Sequence, residues 1–390
     1  MAARKITALF GAGASMDAGL PNTYKLTREV YSRLADSKSK DAVLYAVVVS
    51  KLIARNAKKG FSPFDEINVE EVYDGLKRLI NRDSDLLSEF VSGWDPISTL
   101  SSKPFDAQAF ANDFVSTFEL SSRRSLSGTT HLSINQSRLG SLVSELQRAF
   151  DGDFYQYRGA SLAPFLATLS QILDVKEKDT SYMQEFLSAH GDALECIATL
   201  NYDQVVEVSS DKNGSKVDFG LSQWNDKRYV RFHGQSLKLI KLHGSTNWYL
   251  KNDDEIDIRD NDVGQFFSRA MIFGGQSDKL VPYGPFLHLR HQFQQFLQGS
   301  SYLLVVGYSF QDIHLNALIR SWVATRQKGK IIIVDPGKDH SKNEVFRYSR
   351  ILDERGQRKG QRVQIKHIPK GFSDSLSEIA IELNKNPELG

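Results

Sequence analysis

Asn201, Asp203 and His243 are the residues whose types and positions best suit chemistry on a bound ligand. Glu195-Cys196-Ile197-Ala198-Thr199-Leu200, a run of strand character, leads straight into Asn201-Tyr202-Asp203, and Leu237, Leu239, Ile240 and Leu242 lead into His243-Gly244. Residues just past the carboxyl end of a strand in an open α/β sheet face the ligand crevice. An imidazole there can take a proton from a hydroxyl or a water, and an asparagine amide donates and accepts hydrogen bonds at once. Standing alone, Asn-x-Asp would equally serve as a helix cap. A second His-Gly pair, His233-Gly234, follows the more polar stretch from Asn225 to Arg231, with no comparable strand before it. His243 is therefore the expected proton acceptor, and His233 reads as a surface or supporting histidine.

The elements that must position these residues begin at Ile6–Phe10, a short run of β-formers followed by Gly11-Ala12-Gly13-Ala14-Ser15. Gly11 and Gly13 permit a sharp turn and close backbone approach to a ligand. Ser15 stands at an expected helix N-cap, so the amides after it would face a pyrophosphate with the helix dipole behind them. Gly-x-Gly alone also fits any α/β protein with a tight first turn. Tyr302–Val306 is a second apolar run, ending in Gly307-Tyr308-Ser309-Phe310, with a helix expected from about Ile313 to Ala324 capped by Ser309 or Asp312. Lys330–Val334 ends at Asp335-Pro336, and 363–368 and 376–383 read as a last strand and helix.

Several of these stretches together resemble the sirtuins. Gly11-Ala12-Gly13-Ala14-Ser15, followed by Ala18-Gly19-Leu20-Pro21, is similar to the sirtuin nucleotide-binding loop, and Thr199-Leu200-Asn201-Tyr202-Asp203 resembles the sirtuin Thr-Gln-Asn-Ile-Asp motif. His243-Gly244 stands in the context of the sirtuin catalytic histidine, and Gly307-Tyr308-Ser309 looks like the Gly-x-Ser turn that contacts the dinucleotide. The longer string GYSFQDIHLNALI is especially similar to the zinc-less, sirtuin-like NAD hydrolases of prokaryotic anti-phage defence. The resemblance implies a doubly wound, Rossmann-like parallel α/β sheet of sirtuin type with a large helical insertion. It implies NAD contacts at Gly11, Ala12, Gly13, Ser15, Gly19, Asp203, Gly307 and Ser309, with Asn201 on the ribose and a water and His243 as catalytic histidine. Asp335 at a strand end would bond the adenosine ribose hydroxyls and repel a 2′-phosphate, favouring NAD over NADP. Two departures matter. Asn22-Thr23-Tyr24 replaces the Asp-Phe-Arg of deacetylase sirtuins, and Ser245-Thr246-Asn247-Trp248-Tyr249 follows the histidine where those enzymes carry a four-cysteine zinc module.

The chain has 390 residues, 41% of them hydrophobic and 25% charged, and a net charge of +2. That length predicts more than one compact unit: an NAD-binding domain from 1–35 and 191–390, and a helical insertion from 36–190. From about Leu26 to His190 the texture is helical: Leu26, Val30, Tyr31 and Leu34, then Val72, Leu76, Leu79 and Ile80, then Leu139, Leu142, Val143 and Leu146 are spaced for helix faces. Ala42–Ala54 reads as a buried or interface helix, and no apolar run is long enough for a membrane span. The near-neutral charge gives no argument for nucleic acid, and the basic run at 355–362 reads as a solvated hairpin or loop. Cys196 is the one cysteine, which excludes an internal disulfide and a multi-cysteine zinc site and fits a reducing, cytoplasmic setting.

Three activities are open at this level: NAD+ glycohydrolysis to nicotinamide and ADP-ribose, NAD-dependent protein deacylation, and non-catalytic nucleotide binding in a regulatory or assembly module. The resemblance favours the first, without zinc, in a homo-oligomer with or without a partner such as a HerA-type ATPase.

Overall fold

The computed structural model describes residues 5–36, 40–60, 67–80, 162–234, 236–251, 254–259, 268–273, 284–337, 339–352 and 358–385. Strands β1 (Ile6–Phe10), β2 (Leu194–Thr199), β3 (Val217–Asp218), β4 (Leu237–Lys241), β5 (Gly244–Lys251), β6 (Glu255–Ile258), β7 (Ser268–Met271), β8 (Tyr302–Val306), β9 (Gly329–Val334), β10 (Arg350–Leu352), β11 (Arg358–Gln361) and β12 (Val363–Ile368) form three sheets. The largest is seven-stranded, in the order β12-β9-β8-β1-β2-β4-β3, and its pairings are parallel. From β1 the chain builds outward through β2 to β4 on one side, then returns to place β8, β9 and β12 on the other. The order reverses between β1 and β8, the kind of switch point where open α/β sheets bind ligands.

The helices are α1 (Thr23–Asp36), α2 (Lys40–Lys58), α3 (Val69–Ile80), α4 (Ala163–Ile172), α5 (Ser181–His190), α6 (Val205–Lys212), α7 (Trp224–Lys227), α8 (Phe286–Gly299), α9 (Ile313–Thr325) and α10 (Phe372–Asn384). Successive strand residues point to opposite faces of a sheet, and here each face has its own core. Leu9, Ala198, Ile240, Leu303, Val305 and Ile333 join Leu289 and Phe293 of α8 and Ile319 and Trp322 of α9. Ala8, Phe10, Ile197, Leu304, Val306 and Ile332 join Met183 and Phe186 of α5, Val205 of α6 and Phe372 and Ile379 of α10. Helices on both faces of a parallel sheet explain why its central strands β1 and β8 read as near-continuous apolar runs rather than alternating ones. The expected doubly wound α/β class is the one observed.

Contacts divide the chain into two compact units, Met1–Thr23 with Leu169–Gly390, and Tyr24–Thr168. In the second, α1 buries Leu26, Val30, Tyr31 and Leu34. The Tyr45 hydroxyl of α2 donates to the Thr27 carbonyl at 2.9 Å, and Gly75 of α3 sits so near Val48 that a Cβ would come within 2.6 Å of it. The helix face at 139–146 lies outside the described residues. Of the basic run at 355–362, residues 358–361 form β11, antiparallel to β10.

One expectation is refined and one changes. The strand expected ahead of His243 is β4, which ends at Lys241, and β5 begins at Gly244 in a separate antiparallel sheet with β6 and β7. The break falls where Gly244 takes φ 80° with the Ala270 carbonyl 2.0 Å from where a Cβ would be, a position that admits glycine alone. Ser15 is not an N-cap. It lies inside a 3-10 helix over Ala12–Ala18 whose N-cap is Gly11 and which Gly19 ends in the left-handed conformation.

The glycines of the turns after β1 and β8 are required by each other. A Cβ on Gly13 would lie 2.5 Å from the Gly307 Cα, and one on Gly307, whose φ is 59°, would lie 2.2 Å from the Gly13 Cα. The Gly13 amide donates to the Gly307 carbonyl at 3.1 Å. Neither backbone can retreat without breaking a strand end. Gly13→Ala is therefore expected to lower stability by about 1–3 kcal/mol, read as a lower urea midpoint, and an unchanged midpoint would show that the turns can part.

Candidate functional site

The carboxyl ends of the central strands stand in register. Phe10 pairs with Thr199 and with Val306, Thr199 with Lys241, and Val306 with Val334. Each of the strand-end candidates follows one of these residues: Gly11 and Gly13 after β1, Asn201 and Asp203 after β2, His243 after β4, Gly307 and Ser309 after β8, and Asp335 after β9. Asn201 and His243 occupy equivalent places, two residues beyond the paired Thr199 and Lys241, and the Leu242 amide continues the ladder to the Thr199 carbonyl at 2.9 Å.

The Asn-x-Asp tripeptide divides its labour. Asp203 supports the start of α6 from one residue before its N-cap Gln204, its Oδ1 accepting from the Val205 amide at 3.0 Å. Asn201 does not. Its Nδ2 donates to the Gly11 carbonyl and to Ser15 Oγ, both at 2.9 Å, so it ties the end of β2 to the first turn. The Tyr202 carbonyl between them accepts from the Thr246 amide at 3.0 Å, the Ser245 hydroxyl at 3.1 Å and the Thr246 hydroxyl at 3.2 Å. The buried ammonium of Lys241 donates to the Asp203 carbonyl and, at 2.9 Å, to Glu207. Burial pushes the Glu207 carboxyl up, an effect the Lys241 charge opposes. Two consecutive loop carbonyls are thus held by β4 and β5, which fixes the Asn201 backbone relative to His243.

His243 is 2% exposed. Its Nε2 lies 3.2 Å from Oδ2 of Asp312, and its carbonyl accepts from the Ile272 amide at 2.9 Å. Asp312 is also the N-cap of α9, as the sequence allowed, with Oδ1 accepting from the amides of His314 and Leu315 at 2.9 and 3.1 Å. Among the described residues, His243 Nδ1 and Asn247 Oδ1 are buried without a hydrogen-bond partner. Asn247 is fixed from its other side, where its Nδ2 donates to Gln204 at 3.3 Å. Orphaned buried polar atoms are rare in folded proteins and call for an explanation, and a polar ligand at this strand edge supplies one. Asp312 and Asn247 were not legible as site residues: the first reads locally as a cap and the second as a strand residue.

Ser309 is exposed beside Gly307. Asp335 is half-buried, its Oδ1 accepting from the Gly337 amide at 2.8 Å and its Oδ2 lying 3.7 Å from His340 Nε2. His233 is exposed, its amide donating to Asp218 at 2.6 Å ahead of β4. It therefore sits toward the opposite, amino edge of the sheet. A polar groove of about 880 Å3 opens there, lined by Leu194 and Glu195 of β2, Leu237 and Lys238 of β4, and Lys216. The sequence candidates for catalysis and nucleotide contact lie at the other edge, where parallel sheets bind ligands.

Among the described residues no three His, Cys, Asp or Glu side chains group closely enough to hold a metal ion. None of the described helices is long and apolar enough to cross a membrane. The thiol of Cys196, fully buried in β2, is pushed up to about 12 by burial, which makes it a packing residue.

No curated protein matches the chain. Solved structures that align with it include Sir2 bound to acetylated peptide (11% identity, covering 98% of this chain and 94% of that one, TM-score 0.37). Others are Sir2 with a p53 peptide and NAD+ (12%, 98% and 94%, 0.35) and a Sir2 homologue mutant with 2'-O-acetyl ADP ribose (12%, 98% and 92%, 0.39). The stretch that holds Asn201, His243, Gly307, Ser309 and Asp335 is also similar to a known family: residues 195–354 match the model of the SIR2-like domain.

Proposed function

We propose that this protein is an NAD+ glycohydrolase that cleaves NAD+ to nicotinamide and ADP-ribose. The observation that carries the reading is the register that sets Asn201 and His243 at equivalent places beyond paired strand ends, beside the interlocked turns of Gly13 and Gly307. The SIR2-like match over 195–354 supports NAD as the nucleotide.

In this reading the pyrophosphate lies at the β1 and β8 turns, near Gly11, Ala12, Gly13, Ser15 and Ser309, with the adenosine ribose toward Asp335. Asp203 and Asn201 face the nicotinamide riboside. Nicotinamide leaves as the neutral base from a pyridinium, so it takes the electron pair of the C1′–N bond and needs no general acid. The protein's task is to stabilise an oxocarbenium-like ribose and to position water. Asn201 holds a ribose hydroxyl or the water. His243 takes the proton the water loses as its oxygen bonds to C1′. Burial of both side chains keeps stray water out and strengthens the fixed dipoles.

The similarity of GYSFQDIHLNALI to prokaryotic sirtuin-like NAD hydrolases supports an NAD-depleting role in anti-phage defence, in a homo-oligomer with or without a HerA-type ATPase. The reading also needs no zinc. With a single cysteine in the chain, the donor set of a structural zinc site is lacking. Turnover should survive a chelator and metal analysis should find zinc far below one per chain; stoichiometric zinc with activity lost to the chelator would contradict this.

Incubating the protein with NAD+ in the presence and absence of an acetyl-lysine peptide tests the activity. Equal nicotinamide release in both is expected. Release that depends on the peptide would make the protein a deacylase.

A further inference from the structure

We propose that Asp312 is the positioning residue of His243: its carboxylate receives the Nε2 proton, fixes the imidazole tautomer, and so makes Nδ1 the atom that accepts the proton from water. This rests on the glycohydrolase reading for its catalytic consequence, but the tautomer itself is a property of the free protein.

Three features carry it. The first is the contact, 3.2 Å between His243 Nε2 and Asp312 Oδ2 with both side chains buried. An ionised carboxylate only accepts hydrogen bonds, so the nitrogen facing it bears the proton. The second is the state of the other ring nitrogen, which is buried and, among the described residues, has no hydrogen-bond partner. A neutral imidazole protonated at Nε2 presents there an unused lone pair, suited to a proton that arrives only with the substrate.

The third is how firmly the carboxylate is held. Its Oδ1 is bound by the His314 and Leu315 amides, and the positive end of α9 favours the ionised form. The Tyr308 hydroxyl donates to the Asp312 carbonyl at 3.2 Å and lies 3.0 Å from Asn316 Oδ1, while Asn316 Nδ2 donates to the Phe310 carbonyl at 2.7 Å. Phe310, at φ 57°, is packed by Tyr308, His340 and Phe346. In sheet order β8 and β4 are separated by β1 and β2, so the Asp312–His243 pair reaches over the ends of the strands that carry Gly11 and Asn201.

Among the described residues, three charged or titratable groups facing the pair are identified. From α8, Arg290 interacts with Asp312, and burial holds its guanidinium below its usual range. After β8, burial and then the Asp312 charge push the Tyr308 phenol up. After β2, the Tyr202 ring stands 6.3 Å from the imidazole.

The test is Asp312→Asn. An asparagine oxygen can still cap α9, so the variant should fold with an unchanged denaturation midpoint, but its amide nitrogen would donate to Nε2 and drive the ring proton to Nδ1. Nitrogen-15 spectra of histidine-labelled protein without NAD+ should show Nε2 protonated in the wild type and Nδ1 protonated in the variant. With NAD+, kcat should fall by roughly 10²- to 10⁴-fold with KM little changed. Nδ1 protonated in the wild type, the same tautomer in a folded variant, or an unchanged kcat would each overturn the proposal. Should the variant not fold, the wild-type spectrum alone decides. A wild type that releases no nicotinamide yet shows the tautomer exchange would instead sink the glycohydrolase reading and leave the pairing standing.

Discussion

Replacing His243 by alanine should reduce nicotinamide release by about 10²- to 10⁴-fold, the usual loss when a general base is removed, while NAD+ binding remains measurable. The side chain lies past a strand end and makes its one described hydrogen bond to Asp312, so its removal leaves the turns at Gly13 and Gly307 untouched. The companion variant is His233→Ala, exposed and toward the amino edge of the sheet, which should turn over as the wild type does. A dead His233→Ala protein beside an active His243→Ala protein would reverse the assignment. Binding lost together with turnover in His243→Ala would mean that the imidazole holds the nucleotide rather than a proton.

The second large effect is expected from Asn201→Ala, which should remove turnover far more than binding. Its amide ties the end of β2 to the Gly11 carbonyl and Ser15, so a loss of about 1–3 kcal/mol in stability is expected as well, from buried partners left unpaired. The catalytic and structural parts separate when nicotinamide release is expressed per folded molecule. Asp203→Ala supplies the contrast: it removes the side chain that supports the start of α6 and should cost about 0.5–2 kcal/mol. A less stable but fully active Asn201→Ala protein would show that Asn201 only braces the first turn.

Much of this was legible in the sequence because the central strands are covered on both faces. Ile6–Phe10, Tyr302–Val306 and Gly329–Val334 are buried throughout, so apart from Thr7, Gly329 and Lys330 they appear as short apolar runs whose ends can be counted, and the candidates follow from those ends. Local pattern says less about partners. Leu237 to Leu242 reads as strand up to His243, and the break depends on the Ala270 carbonyl facing Gly244. Ser15 has the composition of a cap but sits within a 3-10 turn because the helix starts as soon as Gly11 leaves β1. Asp312 was legible as a cap through its neighbours in the chain, whereas its contact with His243 joins residues 69 apart. Lys241 looks like a solvated strand end, yet it is fully buried because the carbonyl of Asp203 and Glu207 await it.

Product analysis of purified protein given NAD+ alone tests most directly whether this strand edge hydrolyses NAD+. Nicotinamide and ADP-ribose are expected in equal amounts from the wild type, and neither from a His243→Ala protein that still binds NAD+. NAD+ recovered intact from the wild type, bound but uncleaved, would contradict it.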